Sequence, residues 1–339
     1  MAAMSAQPSL TDSWTLGPLR VPNRVMLAPL AGIGNWFVRL QAKRYGAGMA
    51  VSEMVSSHAV HHRNERTCRE MLRIHPEERR SGPVSVQLFG QDPAVMRSAA
   101  ATVAQAGADA IDLNLGCPVP KVCRTGAGAA LLDDPERALE LARAAREGAQ
   151  GLPVTVKLRS GLRPGEESGF ELAQRLVHDA GVQAIAFHPR SAAVHHKGTP
   201  DYELAARLVE TLGAPVILTG GLHDADSTLA AFQTTKPAAV MLARGSLGNP
   251  WLFERLLGGR EQEPSREEVL GELDWVIERA VEHLGEERAT RYMRKFYPWY
   301  VQRLGLPRPR CRALCESLQC ARTLQDARYT AALAAPVPA

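Results

Sequence analysis

The chain has 339 residues, 45% of them hydrophobic, and a formal net charge of only +4. That is enough to bury a full core and to divide into two domains, while no run approaches the roughly 18 apolar residues of a membrane span. The start, MAAMSAQPSL, lacks the basic region and apolar stretch of a secretory signal, so a cytoplasmic protein with no membrane partner is expected. Six cysteines are too few for a disulfide framework at this length and are judged one by one as reduced thiols.

Residues 1–16 are expected to form an N-terminal extension. From residue 25 onward short β-branched runs alternate with amphipathic stretches. The runs are VMLAP (25–29), MAVSEM (49–54), VSVQLFG (84–90), AIDLNLG (110–116), VTVKLRSG (154–161), AIAFHPR (184–190), PVILTGG (215–221) and AVMLARG (239–245). Between them lie helical stretches such as PAVMRSAAATVAQAG, PERALELARAAREG and ELAARLVETLG, several opened by Asp or Pro and closed by Gly. Eight parallel strands with intervening helices predict an α/β fold, a (β/α)8 TIM barrel over 17–258, rather than an open doubly wound sheet.

A barrel carries its functional groups at the C-terminal ends of its strands. Gln87, Asn114, Cys117, Lys157, Arg159, His188, Arg190 and Arg244 all fall there, and packing alone does not explain so many polar residues at strand ends. The turns TGGLHDA and ARGSLGNPW, with Arg244, suit phosphate binding by backbone amides. GAGAAL (126–131) lacks the third glycine of a dinucleotide fingerprint and is read as a loop. Cys117, in a Gly-Cys-Pro turn, is a stronger candidate for a chemically active thiol than Cys123 nearby. The histidines at 58, 61, 62, 195 and 196 lack Cys or carboxylate partners at ligand spacing, so no metal is assigned.

After LLGGR the composition changes, and a smaller helical domain is expected over 259–334, with a tail at 335–339. Ten acids face three bases from Gly259 to Glu287, whereas ten Lys or Arg face Glu316 and Asp326 from Arg288 to Arg328. Arg291, Arg294 and Lys295 lie at helical spacing, interleaved with aromatics that are expected to be mostly core; a segregated basic stripe is the footprint of phosphate contacts. Cys311, Cys315 and Cys320 have no fourth ligand nearby and read as packing.

APLAG (28–32), SEMVSS (52–57), VQLFG (86–90), LNLGCPVPKV (113–122), GAGAALL (126–132), VTVKLRSG (154–161) and GNPWLF (248–253) resemble segments of bacterial tRNA-dihydrouridine synthases, FMN enzymes that reduce uridines in transfer RNA. The resemblance covers roughly residues 17–330 and is most specific in the Asn-x-Gly-Cys-Pro-x-x-Lys-Val string. It implies FMN as cofactor, NADPH as reductant, tRNA as partner and a monomer. It places the catalytic acid at Cys117 and FMN contacts at Ala28, Pro29, Leu30, Gln87, Lys157, His188, Thr219, Gly220, Gly221, Ala243 and Arg244. Asn114 and Arg190 fall where the family meets its substrate; Arg159 is placed with them, and Arg291, Arg294 and Lys295 are expected to contact the RNA. This chain has Thr219-Gly220-Gly221 where the family usually has Asn-Gly-Asp, and Ala243-Arg244 where it usually has Gly-Arg.

In uracil the C5–C6 double bond is conjugated to the C4 carbonyl, so hydride adds at C6 and a proton must then reach C5. A thiol with an ordinary pKa of about 8.5 is protonated at neutral pH and can supply that proton. Two other readings of the residues stay open. One is a flavin reductase of a small enone or free pyrimidine, and the other is an RNA-binding homologue without catalysis.

Overall fold

The computed structural model describes residues 8–334. The chain separates into two compact units divided at Arg244/Gly245. Composition placed this division after Gly258; it falls earlier because the turn that follows Arg244 packs with the helical unit. A Cβ on Gly248 would meet the Trp299 carbonyl carbon at 2.7 Å. The expected tail, 335–339, and the first seven residues of the expected extension lie outside the described residues.

The first unit contains eleven strands: β1 (Trp14–Leu16), β2 (Leu19–Val21), β3 (Val25–Leu27), β4 (Met49–Val51), β5 (Val55–Ser56), β6 (Val84–Phe89), β7 (Ala110–Leu115), β8 (Val154–Arg159), β9 (Ala184–His188), β10 (Val216–Thr219) and β11 (Ala239–Leu242). From β3 to β11 every pairing is parallel, and β11 pairs back onto β3, which closes an eight-stranded barrel with helices between the strands. All eight expected strands are present. Asp92, Asp134 and Asp201 cap the helices Pro93–Gln105, Pro135–Gly148 and Tyr202–Thr211, each accepting a first-turn backbone N–H.

Two stretches differ from the sequence reading. The run MAVSEM is not one strand: β4 ends at Val51, and β5 resumes the pairing with β6 at Val55↔Leu88. The break occurs because the Ser52 hydroxyl, not a strand carbonyl, accepts from the Gln87 amide, at 3.0 Å. The expected extension is in part a folded hairpin, since β1 and β2 pair antiparallel. Its Trp14, Leu16 and Val21 pack with Met26, Met49, Ala110, Ala184 and Ala239, at the strand N-termini, and so fill the bottom of the barrel. Aromatic and aliphatic bulk from the hairpin complements the small alanines of the interior, as close packing requires.

The second unit is helical: Trp251–Leu256, Arg266–Leu284, Glu286–Met293, Tyr297–Val301, Arg308–Cys320 and Leu324–Ala332. Phe296, Tyr297 and Tyr300 are buried with Val269, Leu273, Val276 and Ile277, in line with the core reading of the aromatics. Arg308–Cys320 buries only Leu318, which leaves most of that helix facing solvent. No described helix is long and apolar enough to cross a membrane.

Candidate active site at the barrel mouth

Three neighbouring strands build the site. The register sets Gln87 opposite Asp112, Asp112 opposite Thr155 and Asn114 opposite Lys157. Side chains two apart on a strand share a face, so Asp112 and Asn114 both point inward, as do Thr155 and Lys157. Thr155 Oγ1 donates to Asp112 Oδ1 at 2.5 Å, Gln87 Nε2 to Asp112 Oδ2 at 2.6 Å, and Asn114 Nδ2 to Gln87 Oε1 at 2.8 Å. Asn114 Oδ1 accepts from the backbone N–H of Gly116 at 3.2 Å and of Cys117 at 2.9 Å. Asn114 therefore holds the turn that carries the thiol.

Cys117 is half-buried in that turn. Its carbonyl accepts from the Ala129 amide at 3.0 Å and from the Cys123 thiol at 3.3 Å. GAGAAL, expected as a loop, forms a 3-10 turn over Gly128–Asp133 that clamps the thiol loop from this side. Gly128, at φ +64°, has no room for a side chain, because a Cβ would meet the Cys117 carbonyl oxygen at 2.7 Å. Burial pushes the Cys117 thiol above the usual range, against the opposing pull of the Val119 N–H and of Arg159 and Lys157. The thiol is thus protonated at neutral pH.

Lys157 is half-buried at the mouth and makes no hydrogen bond or ion pair with any described residue. Burial, then the Arg159 charge, lowers its pKa to about 8, with Asp112 pulling the other way. Arg159 is 3% exposed and donates to three carbonyls, Gly116 at 3.0 Å, Ser191 at 3.0 Å and His195 at 2.7 Å. Burial and the charge of Arg190 lower its pKa to about 10. Arg190 donates twice to the Gly198 carbonyl, at 3.2 and 2.7 Å, and contacts His188 Nε2 at 3.2 Å. Burial, followed by the charges of Lys157, Arg159 and Arg190, holds His188 far below the ordinary imidazole range, so it is neutral. Its ring lies against Gly220, at φ +98°, where any Cβ would collide with it.

Of the other expected positions, Ala28 and Leu30 are buried and Pro29 is half-buried at the end of β3; the Ala28 amide donates to the Leu242 carbonyl at 2.8 Å. Thr219 Oγ1 donates to the Met241 carbonyl at 2.9 Å, and Gly220 and Gly221 follow it with positive φ. Ala243 is half-buried and Arg244 exposed. Arg291, Arg294 and Lys295 lie on the surface of the helical unit: Arg291 pairs with Glu287 at 2.8 Å, Arg294 reaches the Ala321 carbonyl at 3.5 Å, and Lys295 sits over the Tyr292 ring. Sequence reasoning missed Asp112 and Thr155. The signal was present in AIDLNLG, where an acid two residues before Asn114 must share its face. The side chains of Arg308, Arg310, Arg312 and Arg322, counted in the basic stripe but not singled out there, are exposed and make no hydrogen bond or ion pair with any described residue. Among the described residues no group of three or more His, Cys, Asp or Glu is placed to hold a metal ion.

The closed parallel barrel carries at its mouth a protonated thiol and a lysine whose side chain makes no hydrogen bond or ion pair with any described residue, the features of a barrel enzyme's active-site end. The dihydrouridine synthase family profile matches residues 26–330, and this chain belongs to that family. It is 36% identical over 299 residues to the tRNA-dihydrouridine synthase B of Pseudomonas aeruginosa, with 85% of this chain and 87% of that protein covered. It is 36% identical over 317 residues to a probable tRNA-dihydrouridine synthase of Mycobacterium tuberculosis, covering 89% of this chain and 79% of that one. Among solved structures, morphinone reductase in complex with tetrahydroNAD aligns at a TM-score of 0.55 and 18% identity, over 77% of this chain and 94% of its own. That last likeness concerns the barrel fold.

Proposed function

We propose that this enzyme reduces uridines in tRNA to 5,6-dihydrouridine with FMN as cofactor and NADPH as electron donor, and that Cys117 supplies the proton. The observation that carries this reading is the Cys117 turn at the barrel mouth, held by Asn114, with Lys157 on the neighbouring strand making no side-chain hydrogen bond or ion pair with any described residue. Bound FMN supplies hydride for C6 of the uracil ring. The residues present fit it: a half-buried cation that makes no side-chain ion pair with any described residue suits the pyrimidine edge of a flavin, where negative charge collects on reduction. Lys157 would hold that edge, and Gln87, fixed between Asp112 and Asn114, would border it.

The work left to the chain is to hold a proton and a base in place. Burial keeps the Cys117 thiol protonated, so it can give its proton to C5 and regain one from solvent. Neutral His188, in contact with Arg190, lies against the turn after β10, where Gly220 and Gly221, with Arg244 after β11, would take phosphate. The target base must leave its stack, which costs a few kcal/mol, and phosphate contacts by basic residues of the helical unit would offset that cost.

The test is Cys117→Ala. The variant is expected to bind FMN and tRNA as before and to lose turnover; full activity in it ends the assignment of Cys117 as the acid.

A further inference from the structure

Asp112 is the one ionisable group in the barrel interior to which this mechanism gives no part. It is fully buried, and both carboxylate oxygens accept hydrogen bonds, from Thr155 and from Gln87. A buried carboxylate is expensive unless something in the fold needs it. Its influence on the site runs through the order of donors and acceptors. Asp112 Oδ2 accepts from the Gln87 amide nitrogen, so Gln87 turns its nitrogen toward Asp112 and its oxygen away. That oxygen can only accept, so Asn114 must turn its nitrogen toward Gln87, as the 2.8 Å contact requires. Asn114 then has its oxygen left for the loop, where the Gly116 and Cys117 amides can only donate. With an accepting Asp112 oxygen at one end and donor-only amides at the other, a single sense satisfies every atom between them. Neither amide can flip without leaving buried groups unpaired.

We propose that Asp112 is a positioning residue for the reaction: by accepting from Gln87 at one end of the chain Asp112–Gln87–Asn114, it sets the sense of both amides and thereby holds the Cys117 turn in place. The inference rests on the reading of Cys117 as proton donor, but its structural part is read without turnover. Thr155 serves as the anchor on the far side, using the second carboxylate oxygen to keep Asp112 from rotating toward the mouth.

The test compares Asp112→Leu with Asp112→Asn by amide hydrogen exchange, with and without FMN. Leucine removes the acceptor and frees the Gln87 amide. Exchange at the Gly116 and Cys117 amides is then expected to speed up about fivefold or more, the net worth of one hydrogen bond, while the β7 amides of Ile111 and Leu113 keep their protection. Asparagine can present its oxygen to Gln87 and its nitrogen to the Thr155 hydroxyl, so it preserves the sense of the chain and is expected to stay within about twofold of the native protein. In turnover, Asp112→Leu is expected to lower kcat at unchanged KM for tRNA, and Asp112→Asn to restore most of it. Native exchange at Gly116 and Cys117 in Asp112→Leu, or an equal loss in both variants, overturns the proposal. Should Asp112→Leu fail to fold, Gln87→Met interrupts the chain one link further on and must give the same local loss; native exchange there overturns it equally. A fully active Cys117→Ala enzyme alongside the expected exchange pattern would instead refute the proton-donor reading and leave the positioning of the turn standing.

Discussion

In the barrel unit Arg159 and Arg190 are 3% and 7% exposed, and among the described residues they donate to backbone carbonyls and His188 rather than to any carboxylate. The same unit can supply a buried acid where it needs one: Arg39 is paired with Glu78 at 2.5 Å, and both are buried. In the helical unit no described arginine is buried: Arg328 pairs with Asp274 and Arg291 with Glu287, Arg294 reaches the Ala321 carbonyl, and the exposed side chains of Arg308, Arg310, Arg312 and Arg322 make no hydrogen bond or ion pair with any described residue. Carbonyls fix a guanidinium without cancelling its charge, so the barrel mouth keeps a net positive potential in rigid positions. Surface arginines keep their charge on mobile stems instead, and a surface pair contributes little. One arrangement suits a site that must hold an anionic ring and phosphate at fixed places. The other suits a long polyanion met in many orientations.

The largest effect that would sharpen this contrast is the loss of Cys117. With Cys117 as the proposed proton donor, Cys117→Ala is expected to reduce single-turnover uridine reduction by about 10²–10⁴-fold, read at saturating tRNA. Next is Arg159→Met, which strips donors from three carbonyls. It is expected to cost about 2–4 kcal/mol in urea unfolding, since several buried acceptors are orphaned together. A loss below about 0.5 kcal/mol would mean that those carbonyls find water and that the barrel arginine is no more than a surface charge.

Lys157 gives a pH test. With a pKa near 8 it loses its charge as the pH rises through that value, and an uncharged amine no longer favours the anionic reduced flavin. The midpoint potential of bound FMN is therefore expected to fall more steeply with pH above about 8 than below it, and Lys157→Met is expected to remove the bend. A bend that survives in Lys157→Met belongs to another group. In the helical unit, replacing Arg308, Arg310 and Arg312 together by alanine is expected to weaken tRNA binding and to flatten its salt dependence by about 0.7–0.9 per lost phosphate contact. An unchanged salt slope would remove this helix from the RNA surface. The smallest effect belongs to Arg291→Ala: its exposed pair with Glu287 is worth no more than about 0.5 kcal/mol, read as a shift in the unfolding midpoint.

The barrel strands were legible because parallel strands buried on both faces read as continuous apolar runs, and AIDLNLG and VTVKLRSG stand out even with polar residues inside them. The break after Val51 was not legible, since it depends on a hydroxyl meeting an amide 35 residues away. The hairpin was missed because three-residue strands carry too little pattern to register. At the mouth, Cys117 announced itself through its Gly-Cys-Pro turn. Asp112 did not, because a single acid in a strand reads as an exposed position until the neighbouring strands show that its face is the interior. The sequence reading did not partition the charges of the basic stripe: the i,i+4 spacing of Glu287 and Arg291 was enough to pair them, whereas no spacing shows that the arginines of Arg308–Cys320 have no side-chain partner among the described residues.

The hairpin that carries Trp14, Leu16 and Val21 stoppers the tube at the strand N-termini, so a ring bound in the proposed site would be reached through the mouth. If nicotinamide and RNA both work at that ring, neither can wait inside while the other reacts. Reduction of the cofactor and reduction of the base must then be separate visits, and steady-state rates measured against both ligands should give parallel rather than intersecting reciprocal lines.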